Sequence, residues 1–310
     1  MVPVLFSFRI AGREVSIASY GVLIAVGLAA ALALAHRRAR GAGMDPGRVL
    51  DLAFWMTLSG FAGSRLTYGL VNFGDFGRAC VSGVGEPRSA GQVVMDCTRI
   101  LRVWEGGLVF YGGLAAATIV AYRFARREGW SFGTVGDVFA PALALGHAFG
   151  RVGCFLAGCC FGKASTAGWG VRFPRGSVAF EDLAMSGAVA PGADVTPGLH
   201  PTQLYEATGD FTIFALLVVL GPRLRRHRGA TLLAYLGLYA ALRFIVEMFR
   251  GDAARHFVSM WRTPRLAAWL HLRTGVPILL SVGQAMSLVT LAVVLTVWLR
   301  RRGSSTAHLA

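Results

Sequence analysis

Four arginines stand where an apolar sequence offers them little water. Arg65 lies in GSRLTY, Arg151 in HAFGRVG, and Arg243 and Arg250 in YAALRFIVEMFR. His147 and Arg151 are four residues apart, so on a helix they share one face. Tyr239, Arg243, Glu247 and Arg250 follow at spacings of 4, 4 and 3, which again makes one stripe. A further polar group, His200, Gln203, Tyr205 and Glu206, sits in HPTQLYE. In these segments the cations face only Asp137, Glu247 and Glu206. An excess of buried positive charge invites an anion, and the planar guanidinium matches phosphate with two parallel hydrogen bonds. The plainer reading is also open: Arg243 and Glu247 neutralise each other, and Arg65 snorkels or pairs with Asp137.

Glycine and cysteine surround these charges. GRVGCFLAGCCFG carries Gly150, Gly153, Gly158 and Gly162, and EGGLVFYGG carries Gly106, Gly107, Gly112 and Gly113 around Tyr111. So many glycines disfavour regular helix and suit turns whose N–H groups approach an anion. The alternative is close helix packing through small residues. Cys154, Cys159 and Cys160 admit a metal, a nucleophile, a disulfide or plain lining. A closed structural zinc site wants four ligands, whereas only C-x4-CC is present; the expectation is lining, with no metal and no cofactor.

The elements that must position these groups are membrane helices. The chain of 310 residues is 55% hydrophobic and 15% charged, against roughly 25% charged in soluble domains. Its net charge of +15 sits in short runs at the ends of apolar segments, which is a topology signal and argues against nucleic acid as partner. Apolar spans are expected at 17–35, 52–71, 106–122, 132–150, 206–222, 230–249 and 278–298. The first has its basic residues after the apolar run, unlike a signal peptide, and reads as uncleaved. Alternation puts all four strong basic clusters, at 36–40, 123–127, 223–228 and 300–302, on the cytoplasmic side. The expected architecture is therefore a single all-α integral membrane domain over 1–310. It has seven transmembrane helices, amino end outside and carboxyl end cytoplasmic. Periplasmic segments cover 72–105 and 151–205, the latter a small head, and a flexible tail covers 303–310. Cys80 and Cys97 fall outside, where a disulfide or two free thiols both fit.

Taken in order, SYG, GSRLTY, GGLVFYGG, GRVGCFLAGCCFG, HPTQLYE and RFIVEMFR resemble the bacterial prolipoprotein diacylglyceryl transferases, over nearly the whole chain. The resemblance implies a seven-helix inner-membrane enzyme with its site toward the periplasmic face and no cofactor. It implies transfer of the diacylglyceryl group from phosphatidylglycerol to the lipobox cysteine of a preprolipoprotein signal peptide. Its partners are then phosphatidylglycerol, these signal peptides and membrane lipids. Arg151 and Arg243 become the catalytic clamp on the departing phosphate. Tyr20, Arg65, Gly150, Gly153, Cys154, Gly162, His200, Gln203, Tyr205, Glu206, Tyr239 and Glu247 become the substrate-binding set.

Three positions depart from the family pattern. Cys154 stands for an Asn, Cys159 for a Glu, and Tyr111 for a His that is given a base or binding role. Tyrosine is a poor base at neutral pH. His147, one turn before Arg151, is the expected substitute, with Tyr111 kept in the catalytic set. These departures leave two other readings open: a phospholipid-dependent transferase with a different acceptor, and a non-catalytic lipid-binding membrane protein.

Overall fold

The protein is described from a computed structural model, over residues 4–10, 13–74, 98, 107–224, 227–251, 257–273 and 277–306. Cys80, Cys97, Gly106, most of the 72–105 segment and the end of the 303–310 tail lie outside the described residues. The chain forms two compact units, residues 35–135 and residues 1–34 with 136–310.

Two short strands open the chain, β1 (Val4–Ile10) and β2 (Arg13–Ala18), paired antiparallel. Helix α1 (Ser19–Gly41) follows and carries the basic residues Arg38 and Arg40 in its last turn. The expected start of the first span at residue 17 is thus corrected to 19, because the β-branched alternation of REVSIA pairs as a strand.

In the 35–135 unit, α2 (Pro46–Val71) packs on α3 (Phe110–Arg127). Asp45 caps α2 by accepting from the N–H groups of Gly47 and Arg48, with Pro46 at the first position. The expectation that Gly112 and Gly113 break the helix is corrected: both lie inside α3. A Cβ at Gly112 would meet Thr67 Oγ1 at 2.0 Å, and one at Gly63 would meet Ala116 Cβ at 2.5 Å. The small residues let two backbones approach, as in lipid-embedded pairs.

The other unit holds α4 (Phe132–Ala157, from Gly136), α5 (Val178–Met185), α6 (Thr202–Val219), the single turn α7 (Gly221–Leu224) and α8 (Ala230–Phe249). These are followed by β3 (Phe257–Trp261), α9 (Pro264–Trp269), β4 (Leu279–Ser281) and α10 (Val282–Thr306). The segment read as a loop at 251–277 thus contains a strand and a short helix, and β3 pairs with β4. The chain is mostly helical, as expected of an all-α membrane protein, with two small two-stranded sheets, β1–β2 and β3–β4, added to it. The Asp137 carboxylate accepts from Gly229 N at 2.6 Å and Leu232 N at 2.9 Å, capping α8.

Among the described residues, α1, α4, α8 and α10 are long and apolar enough to cross a membrane. Their apolar side chains also face outward: Val293, Leu295 and Leu299 of α10 are all exposed. In water such a surface would be untenable; against hydrocarbon it is the expected outer face. The chain is a mostly helical membrane protein. Between α4 and α6 lies the head, with Phe161, Phe173, Ala179 and Leu199 as its core.

Candidate active site

Three helices of the larger unit bring their charges together. Glu206, in the second turn of α6, is the centre. It lies 3.2 Å from Arg151 Nη2 of α4 and 3.3 Å from Arg243 Nη1 of α8, and Tyr239 OH donates to it at 3.4 Å. Arg243 Nη2 reaches Glu247 at 2.8 Å, the i,i+4 pair foreseen from spacing. Ser281 Oγ then donates to Glu247 Oε1 at 3.1 Å. On the other flank Arg151 Nε–H donates to His147 Nε2 at 3.1 Å, and His147 Nδ1 lies 2.9 Å from Asp210. A guanidinium only donates, so Nε2 is the acceptor nitrogen and the ring hydrogen sits on Nδ1.

Burial sorts this network by sign. The side chains of Glu206, Asp210 and Glu247 are 2%, 0% and 4% exposed, whereas Arg151, Arg243 and His147 are 15%, 22% and 29% exposed. The carboxylates stand behind and hold the bases in front. A buried charge needs a partner, and here the buried acids are also what aims the accessible guanidiniums. The expected surplus of cations is corrected: Glu206 and Glu247 serve the two arginines, and Asp210, which was missed, faces His147. Asp210 lies four residues beyond Glu206 inside an apolar run, and that i,i+4 spacing is the signal that marks it.

Arg65 and Tyr111 belong to the 35–135 unit. Arg65 is buried, donates to Gly107 O at 3.0 Å and lies over the Tyr68 ring. Tyr111 is half exposed at the start of α3, edge-on to Phe110.

The glycine-rich stretch is helical as far as Ala157, so Gly150 and Gly153 do not form the expected turn. Gly153 admits Tyr20, which a Cβ would meet at 3.0 Å, while Gly150 faces open space. The turn begins at Gly158, with φ of 75°. It is locked from α6: Gln203 Nε2 donates to Cys159 O at 2.7 Å and Thr202 Oγ1 to Cys160 O at 2.9 Å. Gly162 presses on the His200 backbone, whose carbonyl a Cβ would meet at 2.3 Å.

HPTQLYE is mostly helix, not outer loop, because α6 starts at Thr202. His200 and Tyr205 form a separate, neutral group. Tyr205 OH pairs with His200 Nδ1 at 3.1 Å, and His200 Nε2–H donates to His271 O at 3.3 Å. Burial holds the His200 imidazole below its ordinary value. With Trp169, Leu242 and Phe249 these two line a mainly apolar groove of about 350 Å³.

The family model for prolipoprotein diacylglyceryl transferase matches residues 3–300. The chain belongs to that family. It is 29% identical to the phosphatidylglycerol–prolipoprotein diacylglyceryl transferase of Clostridium tetani over 276 residues, covering 89% of this chain and 96% of that protein. The protein of the same name from Mycobacteroides abscessus is 29% identical, over 78% of this chain and 67% of its own length. The one from Rhodococcus jostii is 32% identical, over 77% of this chain and 63% of its own. Within the family match fall all the charged residues of the network.

Proposed function

We propose that this transferase moves the diacylglyceryl group of phosphatidylglycerol onto the thiol of a lipobox cysteine in a preprolipoprotein. The family membership and the names of its relatives support the reaction. The observation that carries it is the pair of partly exposed guanidiniums, Arg151 and Arg243, aimed by buried carboxylates. The acceptor sulfur forms a bond to the glyceryl carbon while the bond from that carbon to the phosphate oxygen breaks. Glycerol phosphate leaves with the electron pair, and the two arginines stabilise the charge that gathers on it.

His147 is the base in this reading. When Arg151 turns its Nε–H to the phosphate, Nε2 of His147 is released to take the thiol proton, with Asp210 stabilising the imidazolium that forms. Glu206, Tyr239 and Glu247 set the clamp. Tyr20, Gly150, Gly153 and Cys154 flank the lipid, and Gly162, His200, Gln203 and Tyr205 keep the head shaped against it. The chain crosses the inner membrane seven times, amino end outside, with the site toward the periplasm; the basic clusters at 36–40, 123–127, 223–228 and 300–302 support this.

The test is complementation of a strain depleted of its own enzyme, followed by mass spectrometry of a model lipoprotein. The diacylglyceryl adduct is expected. Its absence with well-expressed protein overturns the reading and leaves lipid binding without this acceptor.

A further inference from the structure

The three cysteines after α4 are not scattered. Their Sγ atoms all lie within 4.8 Å of one another, although Cys154 is helical and Cys159 and Cys160 lie beyond the helix end. Two features of the backbone bring them together. Gly158 and Cys160 both take the left-handed conformation, with φ of 75° and 57°, which is uncommon for a residue with a side chain. A chain held there against its preference marks a site where geometry has been fixed for a reason. The second feature is the lock from α6. Gln203 and Thr202 bind the carbonyls of Cys159 and Cys160 and leave the thiols themselves to converge.

We propose that Cys154, Cys159 and Cys160 hold a Zn²⁺ ion whose fourth position receives the acceptor thiol. With zinc–sulfur bonds of about 2.3 Å, tetrahedral thiolates stand about 3.8 Å apart. Closing from the present separations takes side-chain adjustment of about an ångström or less. Among the described residues the cluster has three cysteines and no fourth, which is not the ligand set of a closed structural site. Three are what an open one requires, since catalytic zinc keeps three protein ligands and one exchangeable position. Three thiolates also suit a soft, redox-inert ion. Arg151 and Arg250 act electrostatically on Cys160 and balance the negative charge that three thiolates leave on the ion.

The site rests on the transferase reading and supplies what that reaction needs. Coordination takes the proton off the acceptor thiol, and His147 Nε2 receives it. The zinc-bound sulfur forms the bond to the glyceryl carbon as the carbon–oxygen bond breaks. The electron pair leaves on glycerol phosphate, held by Arg151, and zinc stays divalent throughout. The product is a neutral thioether, a weaker ligand than the thiolate, so it departs from the metal.

The experiment uses the full chain purified in detergent under reducing conditions and exposed to zinc. Elemental analysis should find one zinc per chain, falling about tenfold or more in each of Cys154→Ser, Cys159→Ser and Cys160→Ser. Cobalt loaded into the wild-type protein should give sulfur-to-metal charge-transfer absorption. That absorption should change on adding a lipobox peptide and not its Cys→Ser counterpart, a readout independent of whether the variants fold. No bound zinc in the wild type, or no peptide-dependent cobalt change, overturns the inference. So does wild-type adduct formation by the triple Ser variant; the transferase reading then stands alone. Conversely, a cysteine-dependent zinc site in a protein that forms no adduct removes the transferase reading and, with it, the acceptor's place on the metal.

Discussion

Two polar clusters lie along α6, and they are built on opposite plans. Around Glu206 side chain meets side chain, acid behind base, with two guanidiniums and the Tyr239 hydroxyl on one carboxylate. Around His200 the partners are neutral and several are backbone carbonyls: His271 O for His200, Cys159 O for Gln203, Cys160 O for Thr202. The first plan leaves mobile donors that can turn to an incoming anion. The second fixes the chain, because a backbone carbonyl has nowhere else to go. Reactivity and rigidity are thus separated within about two helical turns.

The comparison breaks most sharply at the arginines. Arg151→Ala and Arg243→Ala should each cut adduct formation by about 10²–10³-fold in the mass-spectrometric assay. Retained activity in both variants would remove the phosphate clamp. Next comes His147→Ala, expected to lower turnover about 10²-fold, while Tyr111→Phe stays near wild type; full turnover in His147→Ala ends its role as base. The glycines separate the two plans directly. Gly162→Ala drives a Cβ into His200 O and should cost about 2 kcal/mol or more in thermal unfolding. Gly150→Ala has open space, so stability should hold and only adduct formation fall, by about tenfold if lipid occupies that space. Equal stability of the two variants would show that the close approach at Gly162 is not structural.

The smallest effect is a pH slope. His200 is held neutral by burial, below the ordinary value of about 6.5. The unfolded chain therefore takes up a proton first as pH falls. The stabilisation is complete above about pH 6.5 and is lost as pH drops from there through the depressed folded value. Melting temperature should fall between pH 7.5 and 5.0 in the wild type and fall less in His200→Gln.

Much of the charged cluster was legible because helix period is a strong signal. The spacing of Tyr239, Arg243 and Glu247 places them on one stripe before any coordinates exist. Glu206 was legible as a polar residue near the membrane, but not as the hub that three residues on two other helices share; that needs tertiary packing. The glycines misled for a physical reason. Propensity counts them as helix breakers, whereas between membrane helices their missing side chains are what lets Gly63 and Gly112 approach. The convergence of Cys154 with Cys159 and Cys160 depends on two left-handed residues, Gly158 and Cys160, which spacing alone does not reveal.

Lys163 is the chain's single lysine. Its ammonium donates to Met248 O at 2.7 Å and Pro277 O at 2.6 Å, tying the head to the end of α8 and to the segment before β4. An amine-selective reagent therefore meets one side-chain target in the entire protein, and meets it clasped. Its acylation rate in intact vesicles becomes a built-in clock for undocking of the head, read with no engineered label.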